Sequence, residues 1–369
     1  MSEPGPRATF RNPSEADAPQ LLDLLLRVFH RWPKFEIQVP PLEHLLWKMR
    51  SDPIAARHQW VAVVDEEIVA MMLRIVRRVR LKGRDHVVRE GVDAAIDPRY
   101  EGQRLFGAML DQALTTPHRT EIDFNFSFTT NPRLQRRSLR LGGRLINNPI
   151  QVLEKPCRAR AIVARRKEKH GGRLPAPLAV LRIESKTAWN RLRHFPYWRR
   201  AKRAWSIDTL ERFGDRTDRF FDEAARPFDF LVVRRQDFMN WRYCDPAAAR
   251  FTVRVAEREG SILGYLILKI SEGEGYIADL LALPGRVDVV RSLIDDALRI
   301  FHEAGVERVN CWMIARHPYN AVLRRYGFMD SGSKIGFTYM ADNLDDEALA
   351  FVADPGTRIH LTHGDSDWI

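Results

Sequence analysis

Hydrophobic and polar positions alternate most clearly at residues 60–75, WVAVVDEEIVAMMLRI, where two aliphatic runs flank Asp65-Glu66-Glu67. That is the pattern of a hairpin. A second hairpin is predicted at 251–270, FTVRVAEREGSILGYLILKI, turning at Glu259-Gly260. A helical stretch precedes each: LLWKMRSDP at 45–53 and MNWRYCDP at 239–246 share a Trp, a cation, a large apolar residue and Asp-Pro. A third strand follows each hairpin, VVREGVDAAIDP ending at Pro98 and GYIADLLALP ending at Pro284. Helical patterns come next, MLDQAL (109–114) and LIDDAL (293–298). Each half then closes with a strand, a loop and a helix ending in glycine, at 124–143 and 309–328.

The order helix, hairpin, strand, helix, strand, helix therefore occurs twice. A period of about 190 residues is too long for a solenoid and indicates a duplicated domain. The expected class is α+β, each half a central mixed, mostly antiparallel sheet flanked by helices. The expected division is 7–155 for the first domain, 156–206 for a basic connection, 207–345 for the second domain and 346–369 for a tail.

Composition narrows the picture. Of 369 residues, 45% are hydrophobic and nine are Trp, enough for real cores. The segment MSEPGPRATF has no apolar signal region, and no run approaches the roughly 20 residues of a membrane span. The three cysteines (157, 244, 311) form no CxxC, and His30, His58, His86 and His317 show no metal spacing. The reading is cytoplasmic, with no metal. Net charge is +11, but residues 151–205 hold 16 Lys and Arg against three acids, a local +13. That asymmetry points to an anionic partner at one segment.

The strand ending at Pro98, the loop Tyr100-Glu101-Gly102-Gln103-Arg104 and the stretch NPRLQRRSLRLGG resemble the GNAT superfamily of CoA-dependent N-acyltransferases, in its tandem form. The resemblance implies that acyl-CoA lays its pyrophosphate on the loop after the fourth strand, whose pattern is Arg/Gln-x-x-Gly-x-Gly/Ala. Here Glu101, Arg104 and Phe106 replace the three pattern residues. The main-chain N–H groups from Gln103 to Gly107, which bind phosphate at a helix start, are all retained. The cofactor candidates are Ile96, Gly102, Gln103, Arg104, Leu105, Phe106, Gly107 and Asn131. In the second half the connection is shorter and reads GRVDVV, with the acid Asp288 where phosphates would lie. Loss of that cofactor site is expected.

For catalysis, the resemblance puts a general base at Glu90, near the start of the fourth strand. Asp93 is expected on the opposite face by the period of two. Ser138 stands where many members carry a Tyr general acid; Leu323 is its counterpart in the second half. Asn125, Ser127 and Thr129 alternate with Phe124, Phe126 and Phe128 along the fifth strand, one face toward the acyl chain.

The stretch 189–205, WNRLRHFPYWRRAKRAW, predicts a helix from Pro196 with Tyr197, Trp198 and Trp205 on one arc and Arg199, Arg200, Lys202 and Arg203 opposite. Such a helix suits an anionic membrane surface. Packing on its own domain and stacking with RNA are the alternatives. The leading reading is an N-acyltransferase taking acyl-CoA and an amine, peripheral on the inner membrane face. An amphiphilic or sphingoid-type amine would suit it, as in lipid-forming enzymes that resemble bacterial ceramide synthases. The rivals are an aminoacyl-tRNA-dependent peptidyltransferase and a tandem scaffold without activity.

Overall fold

The computed structural model describes residues 8–146, 148–170, 175–193, 204–345 and 349–369. The first half contains β1 (Thr9–Arg11), α1 (Ala18–Phe29), α2 (Pro41–Met49), β2 (Trp60–Val64) and β3 (Glu67–Leu81). It continues with β4 (Arg84–Ile96), α3 (Leu105–Thr115), β5 (Phe124–Thr129) and α4 (Pro132–Arg140). Then come β6 (Arg144–Leu145), β7 (Ile150–Pro156) and the helices α5 (Ala159–His170) and α6 (Ala176–Arg193). The second half repeats the order with β8 (Ser206–Leu210), α7 (Arg216–Ala224), β9 (Phe230–Val232), α8 (Gln236–Tyr243), β10 (Thr252–Arg258) and β11 (Ser261–Ser271). It ends with β12 (Glu274–Ala282), α9 (Val287–Glu303), β13 (Arg308–Ile314), α10 (Pro318–Arg325), β14 (Met329–Ala341) and β15 (Ile359–His360). The α+β class and the repeated order follow the sequence pattern.

Local chemistry explains the elements. In α1, Leu21, Leu24 and Leu25 recur at helical spacing and are buried against β3 residues Met71, Leu73 and Ile75. On the other sheet face, Leu105, Met109 and Ala113 of α3 pack on Trp60, Ala62 and Val69. The echoed tryptophans meet: Trp47 and Trp241 stack with centroids 4.6 Å apart. The repeat thus forms a contact between the halves.

Strand pairing crosses the expected boundary at 155/156. β7 pairs with β13 and β14, and β14 pairs in turn with β5, so one sheet runs through both halves. Phe126 on β5 stacks on Phe337 of β14 at 5.3 Å, and Phe128 lies 5.9 Å from Trp312 of β13. The residues expected as a tail fold inward. β15 pairs with β9, and Arg234 bonds Asp365 at 2.8 Å and Asp279 at 2.9 Å, all three buried.

The helix expected at 197–205 falls mostly outside the described residues. Trp205 is described, and it departs from the membrane-facing expectation. It is half-buried against the core of the second half, with the Arg286 guanidinium 4.9 Å from its ring.

Candidate active site

The loop after β4 enters α3 through two left-handed residues. Gly102 (φ 85°) and Arg104 (φ 60°) both adopt the left-handed region, so Arg104 keeps the backbone shape of the glycine it replaces. Arg104 precedes α3, no side chain caps that helix, and its first turn holds no acid. Its free N–H groups face outward with the positive end of the helix dipole. A second cation borders the same turn. The Arg137 guanidinium of α4 lies 4.5 Å from the Phe106 ring, and its Nη2 would be 3.3 Å from a Cβ on Gly107.

The other cofactor candidates divide. Gly102, Gln103, Phe106 and Gly107 lie on this loop and the first turn of α3, whereas Leu105 is buried in the core beneath it. Ile96 ends β4, and Asn131 caps α4 by accepting from Arg133 N–H at 2.9 Å.

At α9 the equivalent position is filled from within. Asp288 lies in the first turn and pairs with Arg286 at 2.9 Å. The Arg286 hydrogen bond, with the Val289 N–H, holds its carboxyl below the usual range. A carboxylate already sits where an anion would bind.

Parallel strands β4 and β5 pair only from Val88 to Glu90, against Phe124 to Phe126. Beyond Glu90 the two strands no longer pair. The corresponding pairing of β12 with β13 ends at Ile277. Beyond it the buried Tyr319 hydroxyl accepts from Ala282 N–H on β12 at 3.1 Å.

Glu90 is fully buried where that pairing of β4 with β5 ends, not exposed at a strand end. Its Oε2 lies 2.7 Å from Arg77 Nη2 on β3. Burial pushes its carboxyl up to about 8, against the pull of Arg77. Asp93 corrects the expectation of opposite faces. The β3–β4 register shifts between Met72 and Leu73, leaving Asp93 unpaired with φ 28°. This extra residue resets the alternation, and Asp93 turns toward the same helix as Glu90. Lys48 of α2 donates to Asp93 at 2.6 Å and to Asp367 at 3.0 Å, and Trp32 Nε1 donates to Asp93 at 2.8 Å. Burial alone would depress Lys48, but Asp367 and Asp93 outweigh it and hold the ammonium above the usual lysine range.

Arg242 of α8 completes the wall, donating to the backbone oxygens of Gly364 (3.1 Å), Ser366 (2.9 Å) and Ile369 (2.8 Å). Glu90 senses the charges of Arg77, Asp367, Arg242 and Lys48 together, so these residues share one electrostatic site. Ser138 lies elsewhere, in the last turn of α4, where its Oγ would be 2.6 Å from a Cβ on Gly143.

Sequence reasoning did not single out Arg77, Lys48, Arg242, Asp367 or Arg137. The echoed Trp-cation pairs, Trp47-Lys48 and Trp241-Arg242, were a usable signal for two of them. Among the described residues, no three His, Cys, Asp or Glu come together to hold a metal ion.

The strand opening, the bulged fourth strand and the loop entering α3 define the GNAT fold. Solved structures share it across most of the chain. They include a probable N-acyltransferase of unknown function from Enterococcus faecalis (TM-score 0.60, 13% identity, 93% of this chain and 74% of that one). A GCN5-related N-acetyltransferase from Anabaena variabilis gives TM-score 0.60 at 11% identity, covering 92% and 74%. Saccharomyces cerevisiae N-myristoyltransferase with bound myristoyl-CoA gives 0.59 at 12% identity, covering 92% and 85%. No family model and no curated protein matches the sequence.

Proposed function

We propose that the chain is an acyl-CoA-dependent N-acyltransferase working through its N-terminal half. The observation that carries this reading is the conjunction of an uncapped α3 start, bordered by Arg137, with the end of β4–β5 pairing at the buried Glu90. The residues fit the co-substrate: Gln103, Arg104, Phe106 and Gly107 with Arg137 would hold its phosphates, and Ile96 and Asn131 flank the path. Bound acyl-CoA would supply the thioester that an amine attacks.

The chain's own groups have three tasks. Glu90, in its carboxylate form, takes the proton of the acceptor ammonium; Arg77 stabilises that form at 2.7 Å. Lys48 fixes Asp93 and Asp367, which shape the acceptor side. The buried aromatic and aliphatic walls exclude water. The thiolate is a good leaving group and needs no dedicated acid, so Ser138 is assigned at most the orientation of a water.

One acyl-CoA per chain is expected, because Asp288 and Tyr319 occupy the matching positions of the second half. The uncapped cradle favours this reading over an aminoacyl-tRNA-dependent transfer and over an inactive scaffold. Residence at a membrane surface is supported by α6. Leu178, Leu181, Trp189 and Leu192 form one stripe on it and are exposed among the described residues, Leu192 at 76%. Arg182 and Lys186 flank the stripe, as on an interfacial helix. No described helix is long and apolar enough to cross a membrane. The decisive experiment is calorimetric titration with CoA, alongside thiol release from acetyl-CoA and myristoyl-CoA in the presence of amines. Absence of CoA binding would overturn the proposal.

A further inference from the structure

We propose that Lys269 and His363 receive a carboxylate on the acceptor, so that the amines this protein acylates are amino acids. The inference rests on the acyltransferase reading and specifies its second substrate.

Lys269 lies on β11 and is only 2% exposed, and its Nζ has no hydrogen-bond partner. The Phe35 ring centroid lies 4.0 Å from Nζ. A buried ammonium without a partner is costly, and buried polar groups are otherwise nearly always satisfied. Nearby acid does not meet the need: Glu36 is exposed and makes no ion pair with it. Arg242, also within electrostatic reach, adds positive charge and is spent on backbone oxygens. Burial and Arg242 pull Lys269 down to about 7. His363 is buried too, its Nδ1 is unpartnered, and its ring stacks on Trp312 at 4.1 Å. Burial, Arg242 and Lys269 keep that imidazole neutral, free to donate one N–H. Two unmatched nitrogens in a cationic field describe an anion site.

Contacts join this site to the charged residues around Glu90. Asp93 bonds Trp32, whose ring lies 5.3 Å from His44; His44 lies 5.7 Å from Phe35, which covers Lys269. On the other side, Lys269 is paired across the strands with Tyr276, whose ring meets His363 at 5.7 Å. His363 stacks on Trp312, which touches Trp368, next in the chain to Asp367. Asp367 returns to Asp93 through Lys48. The ring of side chains closes. An amino acid held in it presents its carboxylate to Lys269 and its amine toward Glu90. The carboxylate is bound as an ion and no covalent bond is made to it.

The test uses the common amino acids, each beside its carboxamide, with wild-type protein and Lys269→Met. Calorimetry in two buffers of different ionisation enthalpy reads affinity and proton uptake; thiol release from acetyl-CoA and myristoyl-CoA reads turnover. At least one amino acid should bind about tenfold or more tighter than its carboxamide, with proton uptake at pH 8 as Lys269 recharges. Lys269→Met should erase the preference and the uptake, raising KM more than it lowers kcat. No preference in the wild type, or one that survives Lys269→Met, would overturn the inference. CoA binding without any amino-acid preference sinks this inference alone. A carboxylate preference without CoA binding supports the anion site and sinks the acyltransferase reading.

Discussion

Lys48 bonds Asp367, 319 positions further along the chain, at 3.0 Å while holding Asp93 at 2.6 Å. A cation of the first half, an acid of the bulged strand and an acid beyond β15 thus form one largely buried triad. Lys48→Met leaves two largely buried carboxyl groups without their cation. Breaking such a pair costs about 3–5 kcal/mol, and urea unfolding should show a loss of that order. Adding Asp367→Asn to Lys48→Met should recover part of it. A neutral single variant would mean that the triad is solvated.

Glu90 carries the proton-transfer prediction. Glu90→Gln should lower turnover by about 10²–10⁴-fold and leave CoA affinity nearly unchanged. Wild-type turnover should rise with pH through about 8, as the carboxylate form fills, and that limb should vanish in the variant. Stability runs the other way. Between pH 4.5 and about 8 the folded protein keeps a proton that the unfolded chain releases, so the contribution of Glu90 to stability falls as pH rises. A pH–rate profile unchanged by Glu90→Gln removes it from the mechanism.

Arg104 separates binding from strain. Its φ of 60° suits glycine, so Arg104→Gly should stabilise the fold, by up to about 1 kcal/mol. The same change should weaken CoA binding by removing a cation from the cradle. Arg137→Ala should weaken it also, without the gain in stability. Melting temperature and calorimetry read the two effects; tighter CoA binding by Arg104→Gly would show that the guanidinium obstructs the cradle.

The apolar stripe of α6 predicts binding to anionic liposomes. Leu181→Ser with Leu192→Ser should remove most of it, because burial of apolar side chains is not screened by salt. Charge reversal at Arg182 and Lys186 should remove only a salt-sensitive part. Retention on liposomes by the double serine variant would move the contact elsewhere.

Much of this was legible in the sequence, for identifiable reasons. Alternation and turn residues marked both hairpins, and the residues before Pro98 marked the strand that carries Glu90. The echo around Trp47 and Trp241 signalled a duplication and also, unread, the cations Lys48 and Arg242. The face of Asp93 was not legible, because one unpaired residue inverts a period-two count and nothing in VVREGVDAAIDP announces it. Arg77, Asp367 and Lys269 could not be gathered from spacing either. Arg77 reaches Glu90 across two adjacent strands, and Asp367 reaches Lys48 from 319 positions away.

The path of β7 and β14 through the sheet has a consequence for how the molecule can be made. Beside β4, β5 finds its second lateral neighbour in residues 329–341, and β13 finds one of its own in residues 150–156. A ribosome that has delivered the first half has delivered a sheet with an open side, which waits for material translated much later. Two gene fragments divided near residue 200 should therefore yield neither half alone in soluble form, yet should reconstitute when expressed together.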